Sequence, residues 1–147
     1  MDLKLNGLRA LVTGSSRGLG FATARGLSVE GCRVAINGRT PATLQAAADN
    51  LHRDSGMAVV PLAGDISQPE VPDQLIGEAA GALGGLDLLV TNAGGPPSGP
   101  FSGFDDRAWL QAIDLTLMSH VRLIRAALPY LSASQAASVL TITSYSV

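Results

Sequence analysis

The segment that decides the fold is residues 9–20, with the sequence RALVTGSSRGLG. Its first part, Arg9 to Thr13, is a short apolar run typical of a strand that is covered on both faces. Three glycines follow, and the apolar residues from Leu19 to Leu27 then have helical spacing up to a glycine stop at Gly31. The segment therefore predicts a strand, a tight turn and a helix, in that order.

The same alternation continues along the rest of the sequence. Further strands are predicted at Arg33–Asn37, Ala58–Leu62, Leu86–Thr91 and Ser138–Thr143. Between them, helices are predicted from Pro41, around Leu75–Leu83 with a stop at Gly84-Gly85, and from Asp105-Asp106. The order β-α-β-α-β-α-β-α-β predicts an α/β fold, a doubly wound parallel sheet in one domain spanning residues 1–147.

The last helix is predicted to be the longest. Its apolar residues recur at steps of three and four, which predicts one helix with one buried face: Trp109, Ile113, Leu117, Val121, Ile124 and Leu128. The last predicted strand has no predicted helix or strand after it to cover its face and edge. We therefore expect an unfinished fold whose C-terminal part is missing.

Composition excludes several classes of protein. Hydrophobic residues make up 46% of the 147-residue chain and charged residues 15%, which is typical of a globular protein. A net charge of -2 without a basic cluster argues against nucleic-acid binding. No apolar run is long enough to cross a membrane, and the N-terminus lacks the pattern of a signal peptide. The single cysteine, Cys32, fits a cytoplasmic protein, and no metal site is expected because His52 and His120 lack partners at metal-ligand spacing.

The three glycines have a chemical interpretation. A tight turn needs Gly14, a dinucleotide phosphate touches backbone only where side chains are absent, and Gly20 lets the helix pack close to the strand. The helix N-terminus then offers free N–H groups and a positive dipole to a phosphate. The alternative is an ordinary strand-to-helix turn, where glycines are common.

Four motifs in order make the resemblance specific. Thr-Gly-x-x-x-Gly-x-Gly after the first strand, Asp65-Ile66 after the third, Asn92-Ala93-Gly94 after the fourth and Ser144 after the fifth resemble the short-chain dehydrogenase/reductase family. The resemblance implies a Rossmann-type dinucleotide-binding fold. It also implies the cofactor-binding residues Gly14, Ser15, Ser16, Arg17, Gly18, Leu19, Gly20, Arg39, Asp65, Ile66, Asn92, Ala93 and Gly94.

The choice of cofactor depends on the end of the second strand. An acidic residue there would bind the ribose 2′-hydroxyl of NAD, whereas an arginine accommodates the 2′-phosphate of NADP. Gly38 occupies the expected acidic position, Arg39 follows it, and Arg17 approaches from the glycine-rich loop. These residues favour NADP(H) over NAD(H). The alternative is that both arginines are ordinary solvated surface residues.

The resemblance implies hydride transfer between the nicotinamide and a small-molecule carbonyl or alcohol. In the family a serine holds the substrate oxygen, a tyrosine with a nearby lysine donates the proton, and an asparagine in the long helix supports a water-linked proton path. Ser144 matches the serine, and Thr116 stands where the asparagine usually does. Thr116 either holds a water through its hydroxyl or has no catalytic part.

The tyrosine-lysine pair is absent from the sequence. Tyr130 is followed four residues later by Ser134, Tyr145 has no residue that far downstream, and no lysine occurs after Lys4. We therefore expect an oxidoreductase fragment that ends after its catalytic serine and is inactive alone. The alternative is a non-catalytic NADP(H)-binding module, acting as a sensor or a scaffold.

Two further expectations come from the family. The run Gly94-Gly95-Pro96-Pro97-Ser98-Gly99-Pro100 resembles a 3-oxoacyl-[acyl-carrier-protein] reductase-like branch, and it either lines the substrate site or is a plain surface connection. The long helix packs against its counterpart in a second subunit in the family. The resemblance therefore implies a homodimer or homotetramer for the full-length protein.

Overall fold

Five parallel strands form one sheet at the centre of the molecule. The structure, a computed structural model, describes residues 2–144. The strands are β1 (Arg9–Val12), β2 (Arg33–Gly38), β3 (Val59–Ala63), β4 (Leu88–Thr91) and β5 (Ser138–Thr141). They are arranged in the order β3-β2-β1-β4-β5, and every neighbouring pair is parallel. This order, which reverses direction at β1, confirms the predicted doubly wound Rossmann-type sheet.

Helices connect the strands as the pattern predicts. They are α1 (Gly18–Val29), α2 (Pro41–Ser55), α3 (Val71–Leu83), α4 (Asp106–Ile113) and α5 (Ser119–Ser132), with a short 3₁₀ turn at Phe101–Gly103. Pro41 is the first residue of α2, and Gly84 ends α3 with a left-handed backbone, as expected. Asp105 caps α4 by accepting a hydrogen bond from the backbone N–H of Ala108 at 2.9 Å.

The two faces of the sheet carry separate apolar cores. On one face α1 and α2 cover side chains such as Val12 and Ile36, and on the other α3 and α5 cover Leu11 and Leu89. All four side chains are fully buried or nearly so. Burying one such side chain is worth roughly 1.5–3 kcal/mol. The central strands are therefore fixed, and the loops at their carboxyl ends are held in register.

The prediction for the long helix is wrong in two respects. A π-helical turn at Asp114–Met118 interrupts it, so that α4 and α5 are separate helices. The predicted apolar stripe is also largely exposed, with exposed fractions of 42–56% for Trp109, Ile113, Leu117, Val121 and Leu128. The buried face of α5 consists instead of Ser119, His120, Leu123, Ala127 and Leu131. This face packs against α3 and β4 and includes the small residues Ser119 and Ala127, which hydrophobic periodicity does not register.

The amino ends of β1 and β4 are joined by an ion pair. The carboxylate of Asp87 accepts hydrogen bonds from the Arg9 guanidinium at 2.7 Å and from the Arg9 backbone N–H at 2.9 Å. The hydroxyl of Ser134 donates a further bond to it at 2.6 Å. These hydrogen-bond donors, of which Arg9 has the largest effect, hold the pKa of Asp87 far below its usual range.

Among residues 2–144, no helix has the length and apolar character needed to cross a membrane.

Candidate cofactor-binding site

The carboxyl ends of β1 to β4 meet at one edge of the sheet and enclose a cavity of about 530 Å³. Open α/β sheets bind ligands at this edge. The cavity is lined by eight of the predicted cofactor-binding residues: Gly14, Ser16, Arg17, Arg39, Asp65, Ile66, Ala93 and Gly94. We call it the inner cavity.

The glycine-rich loop is shaped by two close approaches. Gly14 has a φ of +56°, and a Cβ there would lie 2.6 Å from the carbonyl oxygen of Asn92. A Cβ on Gly20 would collide with the carbonyl oxygen of Gly14. Any side chain at either position would therefore push the loop away from β4.

The start of α1 forms an open cradle suited to an anion. Gly18 has a φ of +61°, and no atom lies within 4 Å of the place a Cβ would occupy. Arg17, the N-cap of α1, makes no side-chain capping hydrogen bond. The first N–H groups of the helix are thus left for a ligand, and the helix dipole favours negative charge there. These residues fit the pyrophosphate of a dinucleotide.

Three polar side chains hold this loop from behind. Asn92 donates from Nδ2 to the carbonyl oxygen of Gly14 at 2.9 Å, and its backbone N–H and carbonyl both bond the hydroxyl of Thr13. The buried hydroxyl of Ser15 donates to the carbonyl oxygen of Val12 at 2.6 Å. Ser15, Gly18, Leu19, Gly20 and Asn92 do not line the inner cavity. Asn92 and Ser15 act instead by positioning the loop.

Sequence reasoning missed Asn37, the residue that joins three loops. It is buried, its backbone N–H bonds the hydroxyl of Ser15 at 3.1 Å, and its Nδ2 donates to the carbonyl oxygens of Leu62 and Gly64 at 3.0 and 3.1 Å. In the sequence, the only signal that could have identified Asn37 was its position at the end of the predicted second strand. Other lining residues, outside the predicted set of cofactor-binding residues, are Gly38, Thr40, Thr43, Gly64, Gly95 and Leu115.

Two arginines, one from the glycine-rich loop and one just before α2, add positive charge to the wall of the inner cavity. Arg17 and Arg39 are exposed on the wall of the inner cavity, and no ion pair involves either of them within residues 2–144. Thr40, the N-cap of α2, makes no side-chain capping bond. Gly38 ends β2 without a side chain, so the wall carries no carboxylate at the position that would bind a ribose hydroxyl. The arrangement suits a phosphate dianion.

Asp65 stands at the far end of the inner cavity, after β3. Its Oδ1 accepts hydrogen bonds from the backbone N–H and the hydroxyl of Ser67, at 3.0 and 2.8 Å. In the part of the chain that the structure describes, both bonds to this carboxylate use Oδ1. Oδ2 is therefore available to a donor on a ligand, beside the buried side chain of Ile66.

The two predicted catalytic residues lie away from the inner cavity. Ser144 is exposed, three residues past the end of β5. Thr116 is exposed within the π-helical turn, where its hydroxyl donates to the carbonyl oxygen of Ala112 at 2.7 Å. Tyr145 lies outside the described residues. Ser144 follows β5 and Asp65 follows β3, so the two residues leave the same edge of the sheet on opposite sides of β1.

His120 lies one helical turn after Thr116 and is buried, with 8% of its surface exposed. Its Nδ1 has no hydrogen-bond partner among the described residues, and burial lowers the pKa of the imidazole. Burial thus favours the uncharged form of the ring. Between residues 2 and 144, no group of three or more His, Cys, Asp and Glu side chains is arranged to hold a metal ion.

Comparison with known proteins identifies the family. The family model for short chain dehydrogenases matches residues 9–146. The chain belongs to the short-chain dehydrogenase family. It is 34% identical to an uncharacterized oxidoreductase of Staphylococcus aureus strain MW2, covering 93% of this chain and 58% of that protein. It is also 44% identical over 88 residues to glucose 1-dehydrogenase of Gluconobacter oxydans, covering 60% of this chain and 33% of that enzyme.

Solved structures of short-chain dehydrogenases match the fold closely. L-Sorbose reductase of Gluconobacter frateurii, complexed with NADPH and L-sorbose, superposes with a TM-score of 0.91 at 32% identity, covering 96% of this chain and 54% of that one. A short chain dehydrogenase of Burkholderia cenocepacia in complex with NADP gives 0.87 at 28% identity, covering 93% and 55%. The chain thus spans about half the length of these relatives.

Proposed function

We infer that this chain is the cofactor-binding part of an NADPH-dependent oxidoreductase acting on a small carbonyl or alcohol. The observation that carries the inference is the inner cavity, whose wall brings Gly14 of the glycine-rich loop together with two arginines and the uncapped start of α2. The related structures that contain NADPH or NADP support it. The bound cofactor would supply or accept the hydride.

The charge of the inner cavity supports NADP(H) over NAD(H). Arg39 and Arg17 neutralise a 2′-phosphate, and the N-terminus of α2 at Thr40 adds N–H donors and a positive dipole end. A carboxylate at position 38 would repel that phosphate, and Gly38 supplies none. Asp65 and Ile66 would then hold the adenine.

Ser144 is proposed to hold the substrate oxygen through its hydroxyl. Thr116 supplies a hydroxyl where the family usually has an amide, and that hydroxyl already bonds a backbone carbonyl. The sequence contains no Tyr-x-x-x-Lys, the pair that the family uses to donate the proton. We therefore expect NADPH binding without turnover by the 147-residue chain. Turnover of any carbonyl above the rate of free NADPH would contradict this expectation.

Cofactor preference tests the proposal directly. Isothermal titration with NADPH and NADH should show tighter binding of NADPH, and Arg39→Ala should weaken NADPH binding about tenfold or more while leaving NADH unchanged. Arg53→Ala is a matched control, because Arg53 is an exposed arginine at the other end of α2. Equal affinity of the unaltered chain for both cofactors would overturn the NADP(H) assignment. Binding of neither would overturn the proposed function.

The exposed apolar face of α4 and α5 supports assembly of the protein into a dimer or tetramer. Leu110, Ile113, Leu117, Val121 and Leu128 are each 42–62% exposed, and apolar patches of this kind mark protein interfaces. Sedimentation velocity should therefore show concentration-dependent association that Leu117→Asp abolishes. The cytoplasmic location and the assignment to a 3-oxoacyl-[acyl-carrier-protein] reductase-like branch of the family stay predictions from the sequence.

A further inference from the structure

A second cavity, of about 610 Å³, adjoins the inner cavity. The two share a wall made of Arg39, Asp65 and Leu115. Beyond that wall the second cavity lies between Pro96-Pro97 of the loop after β4, the turn at Gln68-Pro69 and the face of α4 that carries Trp109 and Ala112. Its volume is in the range of small-molecule sites. We call it the outer compartment.

This inference rests on the proposed function, in which the inner cavity binds NADP(H). The order of the strands then determines which end of the cofactor lies at the shared wall. The glycine-rich loop follows β1, Asp65 follows β3 on one side of it, and Ser144 follows β5 on the other. A dinucleotide whose pyrophosphate lies at the loop extends in both directions. Its reactive ring must face Ser144, so its adenine faces Asp65.

The shared wall also fixes the edge of the adenine that faces the outer compartment. A carboxylate accepts hydrogen bonds, and the donor on the adenine ring is its exocyclic amino group. Oδ1 of Asp65 is used by Ser67, so Oδ2 is the acceptor for that amino group. Because Asp65 borders both cavities, the exocyclic nitrogen lies at the boundary between them.

The walls of the outer compartment suit an aromatic group. Trp109 is 44% exposed and packs against Phe101, with ring centroids 5.4 Å apart and planes tilted by 55°. Phe104 and the two prolines add apolar surface. This lining differs from the exposed apolar face that we propose for assembly, since Leu110, Ile113 and Leu117 do not border the compartment. We propose that the outer compartment is part of the cofactor site and accepts an aromatic-sized group carried on the exocyclic nitrogen of the adenine.

The test compares adenosine 2′,5′-bisphosphate, the adenosine half of NADP, with its N6-benzyl derivative. Binding to the 147-residue chain is measured by calorimetry and by the emission of Trp109, which is the chain's only tryptophan. The benzyl derivative should bind about threefold to tenfold tighter, because its ring leaves water for the compartment, and it should change Trp109 emission more strongly. Weaker binding of the benzyl derivative than of the parent bisphosphate overturns the proposal.

Variants that fill the compartment complete the test. Ala112→Phe should remove the advantage of the benzyl group while keeping the affinity for the unsubstituted bisphosphate within about twofold. Ala108→Phe serves the same purpose if Ala112→Phe is unfolded by circular dichroism, and Leu110→Phe on the neighbouring face should change neither affinity. An advantage that survives in the filled variants places the benzyl group elsewhere and overturns the proposal. If neither ligand binds to the unaltered chain, both the proposed function and the proposed role of the outer compartment are overturned.

Discussion

The two ends of the sheet differ in how they are covered. At the β1–β3 end, Val34, Ala35 and Ile36 of β2 are fully buried between helices, and the loops are tied together by Asn37 and Ser15. At the β5 end, all four strand residues are exposed, and Leu140 is 53% exposed. The loops at the carboxyl ends of β1 to β3 are therefore held by contacts among the described residues, whereas the surface of α4, α5 and β5 presents apolar side chains outward. We therefore expect cofactor binding and assembly to be separable properties of this molecule.

The largest expected effect distinguishes a buried leucine of α5 from an exposed leucine of the π-helical turn before it. Leu123 is fully buried, whereas Leu117, in the preceding turn, is 56% exposed. Leu123→Ala should lower the free energy of unfolding by about 2–5 kcal/mol, because it leaves a cavity between α5 and β4. Leu117→Ala should cost less than about 0.5 kcal/mol in the monomer. Denaturant melts at several protein concentrations measure both, and a larger, concentration-dependent loss for Leu117→Ala would assign this leucine to an interface.

The next comparison concerns two glycines of one helix. Gly20→Ala would bring a methyl group into the carbonyl oxygen of Gly14, so we expect a loss of about 1–3 kcal/mol and weaker NADPH binding. Gly26→Ala, also in α1, meets no atom within 4 Å and should stabilise the chain by up to about 1 kcal/mol. Thermal melts and NADPH titration of the pair separate helix propensity from loop geometry. Equal effects of the two substitutions would refute the role assigned to Gly20.

The amino ends of the strands provide a pH-dependent test. The folded pKa of Asp87 is depressed, so its ion pair with Arg9 stabilises the fold at pH values above the ordinary aspartate pKa near 4 and loses this effect as the pH falls below it. Asp87→Asn should cost about 2 kcal/mol at pH 7, and the difference from the unaltered chain should shrink between roughly pH 4 and pH 2. Asp54→Asn is the control, since its pair with Arg25 is exposed and is worth about 1 kcal/mol or less. A difference that stays constant with pH would contradict the assignment.

The strand ends that meet at the cofactor edge of the sheet were predictable from the sequence because their signals are local. The strand-turn-helix around Gly14 lies within a few consecutive residues, and the order of strands placed it at the same edge as Asn92, whose motif was found through the family resemblance. Asn37 was missed because its partners Leu62 and Gly64 are 25 and 27 residues away. The inward face of α5 was missed because Ser119 and His120 are polar, and only the packed structure shows that they are buried.

The smallest expected effect concerns Thr116, where the sequence left two roles open. Its hydroxyl bonds the carbonyl oxygen of Ala112, the residue is exposed, and it does not line either cavity. Thr116→Ala should therefore change the free energy of unfolding by less than about 0.5 kcal/mol and leave the Kd for NADPH unaltered. Asn92→Ala, by contrast, removes the bond to the carbonyl oxygen of Gly14 and should weaken NADPH binding severalfold. A weakened affinity for NADPH in Thr116→Ala would show that Thr116, besides Leu115 of the same turn, shapes the cofactor edge.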